Sequence, residues 1–274
     1  MIKKQNMFRG RNDFIFSHAI SSDVCEIFPP HSHDIYELLY IKDGNLTYMV
    51  DGKIYTPPKN SLIITKPFEL HSIKMNETCE YDRYNVLFDE RYLSFEAAGK
   101  AIDGIDVIEF GDDTNVCSCF EKFEYYGEHF GNNMKQMILI NIIEEIFFNV
   151  MIFTKKSSAT APILNPIVSR TIEYINENIT STIKLDMICN EFFISKSYLY
   201  QLFVKHLKIS PQKYIITKKL TMSQRDIRLG AKPTDVYTRY GFIDYSNFYK
   251  NYKRYFGHSP SEEPDIDIKE SIIL

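Results

Sequence analysis

The feature that most constrains the fold is a pattern that the chain carries twice between residues 183 and 260. Leu199 is matched by Phe248 and Phe203 by Tyr252, at an offset of 49 positions that also relates two Ser-Pro pairs. Upstream of these positions the offset is 48, so the second copy has one extra residue in its turn. A repeat interrupted only at a turn predicts two copies of one supersecondary unit, which we interpret as helix, turn and helix.

The ends of the predicted helices carry the residues that helix ends prefer. Ser195 and Asp244 stand where an N-cap is needed, each ahead of an apolar run with helical period. Gly241 supplies a tight turn before the last helix of the repeat. Residues 211–229 contain no glycine and no internal proline, and they predict one linking helix that Gly230 closes.

The second helix of each copy presents hydrogen-bonding groups and flat rings near its N-terminus. Such side chains suit the reading of base edges in a major groove, whereas ordinary packed helices with solvated polar faces are the alternative. Two copies with matched turns favour DNA binding. The candidate DNA-binding residues are Ser197, Tyr198, Tyr200, Gln201 and Lys205 in the first copy and Tyr245, Ser246, Asn247, Tyr249 and Lys250 in the second.

Charge is unevenly distributed along the chain. Residues 163–261 contain 15 Lys and Arg against 7 Asp and Glu, a net charge of +8, whereas residues 1–162 have a net charge of −8. A basic domain of this kind is expected to contact DNA phosphates, and the acidic part is not. The charge pattern therefore predicts double-stranded DNA as a partner of the C-terminal domain.

Residues 28–88 alternate short β-rich runs with turn residues. Asp51-Gly52 is a strong hairpin signal between two of these runs. Short strands at this spacing predict a sandwich or a small barrel. The predicted strands cover residues 36–41, 46–50, 53–56, 62–64 and 70–73.

A group of polar side chains lies among these strands, at His31, His33, Glu37 and His71. Residues two or six apart in an extended strand share a face, so the first three are expected to converge, and His71 joins them if its strand lies alongside. Three interpretations stay open. The group binds a divalent transition metal, lines a polar pocket for an organic effector, or serves structure alone.

Aromatic side chains accompany this group, and Tyr36 and Tyr48 are candidates for lining the same pocket. Polar groups beside rings suit a neutral, hydroxyl-rich molecule, because hydroxyls pair with the polar groups while C–H faces stack on the rings. These side chains therefore predict a neutral, hydroxyl-rich effector, ahead of an aromatic or amphipathic molecule. The candidate effector-binding residues are His31, His33, Tyr36, Glu37, Tyr48 and His71, of which the three histidines and the glutamate are also candidate metal ligands.

Residues 137–153 predict a helix that is apolar except for a narrow polar stripe. Such a helix must be covered on more than one side. A membrane span is expensive because Glu144 and Glu145 lie at its middle. Either the β-domain of the same chain or a second subunit could supply this cover.

The C-terminal stretch resembles the AraC/XylS family of bacterial transcription regulators. The resemblance rests on Val-Tyr-Thr-Arg-Tyr-Gly-Phe at residues 236–242, on Phe248 and Lys253, and on Phe256-Gly257 and Ser259-Pro260. Upstream, His-x-His-x-x-x-Glu at residues 31–37, followed by Gly44 and His71, is similar to the two motifs of the cupin superfamily. Cupin sensor domains are usual at the N-terminus of AraC-type regulators, so the two resemblances support each other.

The resemblance implies a cytoplasmic, ligand-responsive transcription regulator, more often an activator than a repressor, that governs metabolic and often carbohydrate-use genes. It implies a homodimer that pairs through the helix after the cupin barrel, at residues 137–153, and it favours a mono- or oligosaccharide as the effector. It also allows a contact with RNA polymerase. Five cysteines and the absence of an apolar signal-peptide core fit reduced thiols in a cytoplasm. The alternative is a metal-dependent cupin enzyme, an isomerase or a dioxygenase, with an appended DNA-binding module.

The expected fold is therefore α+β with two domains, an N-terminal cupin-like β-barrel and a C-terminal all-α double helix-turn-helix. The expected segments are a sensor barrel at 1–112, a helical dimerisation segment at 113–156, a linker at 157–165, a DNA-binding domain at 166–264 and an acidic tail at 265–274.

Overall fold

The computed structural model describes residues 2–10, 14–24, 27–92, 102–154 and 165–263. The expected acidic tail lies outside these residues, as does all of the expected linker except Asn165. The described strands are β1 (Ile2–Arg9), β2 (Ile15–Val24), β3 (Ile27–His31), β4 (Tyr36–Asp43), β5 (Leu46–Val50), β6 (Lys53–Tyr55), β7 (Ser61–Thr65), β8 (His71–Met75), β9 (Cys79–Phe88) and β10 (Val107–Glu109).

The strands form two antiparallel sheets that face each other as a sandwich. One sheet has six strands in the order β1-β2-β9-β4-β7-β10, and the other has four in the order β3-β8-β5-β6. The expected barrel is corrected to an open sandwich, since the described strands of one sheet do not pair with those of the other. The physical reason is that the chain passes between the sheets through short non-strand segments, such as residues 32–35, rather than through bent continuous strands.

The predicted hairpin joins β5 to β6 and has a two-residue turn. Asp51 and Gly52 have φ angles of 41° and 82°, both in the left-handed region that such turns require. A Cβ added at Gly52 would lie 2.8 Å from Cγ1 of Val168 in the C-terminal domain. Glycine is therefore required here both by the turn and by the neighbouring domain.

Two helices, α1 (Asn115–His129) and α2 (Asn132–Thr154), cover the outer face of the six-stranded sheet. Ile143 and Phe147 of α2 are fully buried in this layer. By length and composition, α2 is the one described helix that is apolar enough to cross a membrane, yet one of its faces packs on the sheet of its own chain. Its opposite face leaves Met137 59% exposed and Phe148 50% exposed.

The C-terminal domain is entirely helical within the residues described. Its helices are α3 (Pro166–Glu177), α4 (Leu185–Phe192), α5 (Lys196–Leu207), α6 (Pro211–Arg228), α7 (Pro233–Arg239) and α8 (Tyr245–Phe256). The pairs α4–α5 and α7–α8 are the two predicted repeats, and α6 is the predicted linking helix, which Gly230 follows with a φ of 95°. These helices pack on the outer face of the four-stranded sheet, where Met49 and Leu70 join their hydrophobic core.

Both predicted N-caps are present in the repeats. The Ser195 side chain accepts a hydrogen bond from the Tyr198 backbone N–H at 3.1 Å, and Asp244 accepts one from Asn247 at 2.7 Å. Leu199 and Phe203 of α5 are fully buried, as are Phe248 and Tyr252 of α8. The apolar positions that revealed the repeat are thus the ones that form the two small cores.

Candidate functional site

The structure brings His31, His33, Glu37 and His71 together between the two sheets. One ligand atom from each of the four lies within 4.8 Å of the others. His31 ends β3 and stands opposite His71 of β8, whereas Glu37 lies on β4 of the other sheet and His33 lies in the segment between β3 and β4. The convergence thus comes from the chain crossing between the sheets, and not from one extended strand as the spacing suggested.

The backbone fixes the orientation of all three imidazoles. Nδ1 of His31, His33 and His71 lies 2.9, 2.8 and 3.0 Å from a backbone carbonyl oxygen two residues away in the chain. Because a carbonyl oxygen only accepts, each Nδ1 carries a proton, and in a neutral ring Nε2 then has a free lone pair. This is the arrangement in which histidines ligate a metal through Nε2 while a second hydrogen bond orients the ring.

The free ring nitrogens meet a buried carboxylate. Nε2 of His33 lies 3.3 Å and Nε2 of His71 lies 3.1 Å from Oε2 of Glu37. Nε2 of His31 and of His71 are buried without a hydrogen bond of acceptable geometry. Lone pairs facing a carboxylate repel it, so the site requires either protonated rings or a cation between them. Three imidazole nitrogens and one carboxylate oxygen fit a divalent transition metal.

The charge states of the group also suit a cation. Burial and the neighbouring rings of His71 and His33 lower the pKa of His31 to about 3, so this imidazole is neutral near neutral pH. Burial alone would raise the pKa of Glu37, but His33 and His71 beside it hold that pKa well below its usual range. An ionised carboxylate therefore faces at least one neutral imidazole.

A cavity of about 40 Å³ adjoins this group. His31, Glu37 and His71 line one part of it, and Ser17, Arg83 and Asn85 line another. A single water needs roughly 10–15 Å³ of such space, so the cavity has room for a metal ion and a few further atoms. A pocket for a larger organic ligand has roughly 300–1,000 Å³.

The two aromatic residues predicted to line the pocket lie elsewhere. Tyr36 is on the opposite face of β4 from Glu37, where it stacks on Phe88 with ring centroids 5.5 Å apart. Tyr48 is buried between the sheets, with its hydroxyl 2.8 Å from Oγ1 of Thr65, and does not line the cavity. Tyr36 lies outside because adjacent strand residues face opposite sides of a sheet.

Sequence reasoning missed Arg83 and Asn85, the polar cavity residues of β9. The signal was present, because Tyr81, Arg83 and Asn85 alternate with residues that face the helices. The predicted strands do not include residues 79–88, so they assign no function to the inward face of β9.

The candidate DNA-binding side chains lie on the recognition helices α5 and α8. Tyr198 and Tyr200 are 43% and 54% exposed, and Tyr245 is half-buried because it packs against Tyr237 with ring centroids 5.6 Å apart. Tyr249 is also half-buried. The remaining candidates, Ser197, Gln201, Lys205, Ser246, Asn247 and Lys250, are exposed.

Both domains match models of known protein families. Residues 25–123 match the AraC-like ligand binding domain, and residues 188–263 match a helix-turn-helix domain. The chain belongs to the AraC family of helix-turn-helix transcription regulators. It is accordingly a ligand-responsive, DNA-binding regulator and not an enzyme, which removes the alternative of a cupin enzyme.

Curated AraC-type proteins show similarity over different parts of the chain. The XylDLEGF operon transcriptional activator of Pseudomonas putida is 27% identical over 143 residues, which cover 51% of this chain and 40% of that protein. The HTH-type regulator YdiP of Escherichia coli is 22% identical over 282 residues, covering 92% of this chain and 86% of the relative. The lactose operon transcription activator of Staphylococcus xylosus is 26% identical over 133 residues and 48% of each chain.

The two helix-turn-helix units of this AraC-type domain are joined through a buried lysine. Nζ of Lys219, on α6, donates hydrogen bonds to the carbonyl oxygens of Ser181 at 2.5 Å and Tyr240 at 2.6 Å. Ser181 lies before α4 and Tyr240 lies after α7, so one ammonium group contacts both units. Burial lowers the pKa of Lys219 to about 8. A Cβ added at Gly241 would lie 2.6 Å from the Ser181 carbonyl carbon, which shows how closely the units approach.

Several cations of the AraC-type DNA-binding domain bind the sensor domain instead of facing solvent. Lys218 forms a buried ion pair with Asp51 at 3.0 Å, and Arg228 forms one with Asp34 at 2.9 Å. Arg225 donates to the Asp34 backbone carbonyl at 2.9 Å and also contacts Glu90. Part of the +8 charge is thus neutralised between the domains and is not free for DNA phosphates.

Proposed function

We propose that this regulator senses a divalent transition metal, which His31, His33, Glu37 and His71 would hold. The observation that carries the proposal is the convergence of three backbone-oriented imidazoles and one carboxylate on a single buried point. A bound metal supplies the positive charge that this arrangement lacks. The small volume of the adjoining cavity also supports a metal over a larger organic molecule.

The metal group is next in sequence to residues that hold the DNA-binding domain. Asp34 follows His33 directly and pairs with Arg228, while the Ser32 carbonyl accepts a bond from the Tyr255 hydroxyl at 3.5 Å. A change in the position of His33 is therefore transmitted to α6 and α8 through residues 32–34.

A second route starts at His71. The Leu70 backbone N–H donates to Oδ1 of Asp51 at 3.1 Å, and the same oxygen accepts from the Tyr214 hydroxyl at 2.8 Å. Asp51 also pairs with Lys218. His31 at the end of β3 thus lies three residues from Asp34, which contacts the linking helix directly. His71 of β8 reaches the same helix through Leu70 and Asp51.

On DNA, one protomer places α5 and α8 in successive major grooves about one helical turn apart. Gln201 and Lys250 are the residues we assign to base contacts, because both are exposed at equivalent positions near the middle of their helices. The remaining exposed candidates on these helices contact bases or phosphates. The proposed segments are a sensor at 1–112, a helical dimerisation segment at 113–156, a linker at 157–165 and a DNA-binding domain at 166–264.

A carbohydrate effector is the second candidate. Its support is the similarity to the lactose operon transcription activator, together with our sequence-based expectation of an activator of carbohydrate-use genes. The present cavity is too small for a sugar, so this candidate requires the two sheets to move apart. The regulator is further proposed to act in the cytoplasm as a homodimer through α2, and to contact RNA polymerase when it activates.

The metal proposal is tested on the full chain purified without chelator. We expect about one metal ion per chain by mass spectrometry, lost in His33→Ala and kept in His129→Ala, whose histidine is exposed at the end of α1. Wild-type protein without metal, and with DNA binding that no added Zn²⁺, Ni²⁺, Fe²⁺ or Mn²⁺ alters, would contradict the proposal. Calorimetry with lactose and shorter sugars then tests the second candidate.

DNA recognition is tested with duplexes selected from a random library by the full chain. Gln201→Ala and Lys250→Ala should each weaken specific binding by about 1–3 kcal/mol, provided each residue reads a base. Lys74→Ala, on the solvent side of β8, is the matched control and should leave binding unchanged. Loss that is equal on selected and unselected duplexes would reassign the residue to phosphate contact.

A further inference from the structure

Arg83 is a buried cation that faces no anion among the described residues. Its side chain lines the cavity, the residue is 9% exposed, and its guanidinium lies 4.3 Å from the centre of the Tyr81 ring. Its hydrogen bond is made by Nη1 to the Ser21 hydroxyl at 3.4 Å. Among the residues that the structure describes, no carboxylate lies within ion-pair distance of this group. Removing a guanidinium from water without a counter-charge costs several kcal/mol, so an anion is expected beside it.

Asn85 adds an unpaired acceptor to the same cavity. Its amide nitrogen donates to Oε1 of Glu37 at 2.8 Å, and because Glu37 only accepts, the amide orientation is fixed. The amide oxygen is then left buried with no hydrogen-bond partner. A buried acceptor of this kind calls for a donor, such as a hydroxyl group, from a bound molecule.

The charges around the cavity also favour an anionic ligand. A divalent metal, Glu37 and Arg83 together leave an excess positive charge in a cavity between the two sheets. Metal and guanidinium both bind carboxylate oxygens well, and Arg does so with two parallel hydrogen bonds. The volume of about 40 Å³ restricts the ligand to a few heavy atoms.

We propose that the cavity binds a small α-hydroxy carboxylate, whose carboxylate lies between the metal and Arg83 and whose hydroxyl donates to Asn85. This inference rests on the proposed metal site and names the ligand that the loaded site takes. Charge selects for the carboxylate, Asn85 selects for the hydroxyl, and the cavity size selects against longer chains. The regulator thereby responds to the metal ion and the hydroxy carboxylate together.

The proposal is tested with glycolate on the full chain loaded with Co²⁺, whose visible absorption reports changes among the metal ligands. Glycolate should shift the spectrum and saturate. Acetate, which lacks the hydroxyl, and glycolamide, which lacks the charge, should each bind at least about tenfold more weakly. Equal affinity for glycolate and glycolamide would overturn the assignment of a carboxylate.

Three variants separate the roles of the residues. Arg83→Met should weaken glycolate binding at least about tenfold while Co²⁺ is still bound, and Arg83→Lys should restore part of the affinity. Lys74→Met removes an exposed cation from the outer side of β8 and should change nothing. Glycolate affinity that is unchanged in Arg83→Met overturns the proposal.

The experiment distinguishes failure of the metal proposal from failure of the carboxylate proposal. If Co²⁺ does not bind, the metal proposal is wrong, and glycolate is then tested on metal-free protein by thermal unfolding. Stabilisation by glycolate that Arg83→Met abolishes supports the carboxylate site without its metal. A metal-free protein that glycolate does not stabilise overturns the carboxylate site as well.

Discussion

At the scale of single residues, this protein has buried polar side chains at positions between the sheets where a sandwich usually has apolar ones. The inward face of β9 carries Arg83 and Asn85, and Glu37 faces them from β4. On the other side of the same sheet, His18 of β2 is buried between two carboxylates. Its Nε2 lies 2.9 Å from Asp82 and its Nδ1 lies 2.9 Å from Glu124 of α1.

This histidine makes stability depend on pH. Burial acts to lower the pKa of His18, but the bonds to Asp82 and Glu124 outweigh it and raise that pKa above 6.5. A raised pKa means that the stabilisation is complete below pH 6.5 and is lost as pH rises through the folded-state value. Chemical unfolding across this range should show the free energy of unfolding falling with pH, and His18→Gln should flatten the fall.

The same variant should be less stable by about 1–3 kcal/mol at the acidic end, because bonds to charged groups are lost. His129→Gln, at an exposed position, is the control. If the free energy of unfolding depends on pH equally in His18→Gln and in the wild type, another group causes that dependence.

Local sequence signals predicted well those features that depend on neighbouring residues. The Asp51-Gly52 hairpin, the caps Ser195 and Asp244, and the single linking helix were all expected and are all present. Features that depend on distant contacts were missed. The alternation along β9 indicates that Arg83 and Asn85 share a face, but only the strands that flank β9 show that this face points inward. The choice of a sandwich over a barrel likewise requires knowing which strands pair at the edges of each sheet.

At the scale of elements, the spacing of the two recognition helices depends on α6. Its Lys219 contacts the carbonyl oxygens of Ser181 and Tyr240, one in each helix-turn-helix unit. Two units held at one distance can read only half-sites at one separation. The linking helix therefore acts as a fixed spacer between the readers.

Lys219→Met keeps the length of the side chain and removes both hydrogen bonds. We expect the protein to stay folded and to lose specific DNA affinity by about 1–2 kcal/mol. Inserting one base pair between the half-sites should reduce the DNA affinity of the variant less than it reduces the affinity of the wild type. Lys219→Arg should restore the loss of affinity that the insertion causes in the wild type. An equal loss in Lys219→Met and in the wild type would exclude the spacer role.

The exposed face of α2 is the element that we assign to the dimer. Phe148→Glu should raise the dimer dissociation constant by about 30-fold or more, as expected for a central contact worth 2 kcal/mol. Size-exclusion chromatography with light scattering measures the change. Ile143→Glu, on the buried face of the same helix, should instead unfold the sensor domain. A wild-type protein that is monomeric at all concentrations would refute this assignment.

At the scale of the whole molecule, the layers run from α1 and α2 through both sheets to the DNA-binding helices. The candidate metal group lies between the sheets, and the acidic residues Asp34 and Asp51 lie between that group and α6. We therefore expect binding in the sensor to be coupled to DNA binding through these ion pairs, whose basic partners Lys218 and Arg228 lie outside both candidate sites.

Replacing Lys218 and Arg228 together by methionine tests this linkage. The wild type should show a change of about 5-fold or more in DNA affinity on metal addition, which is typical of coupled sites. The double variant should bind metal as before and show almost no change. A coupling of equal size in both proteins would mean that the signal passes elsewhere. Lys213→Met, an exposed position on the same helix, is the control.

The pairing of Asp34 and Asp51 with basic residues of α6 has a consequence for how such regulators diversify. Exchange of whole domains between relatives would leave two buried acids or two buried bases without partners. A productive exchange must therefore carry both sides of the contact, or replace them together. We therefore expect positions 34 and 51 to change in step with 218 and 228 among functional descendants.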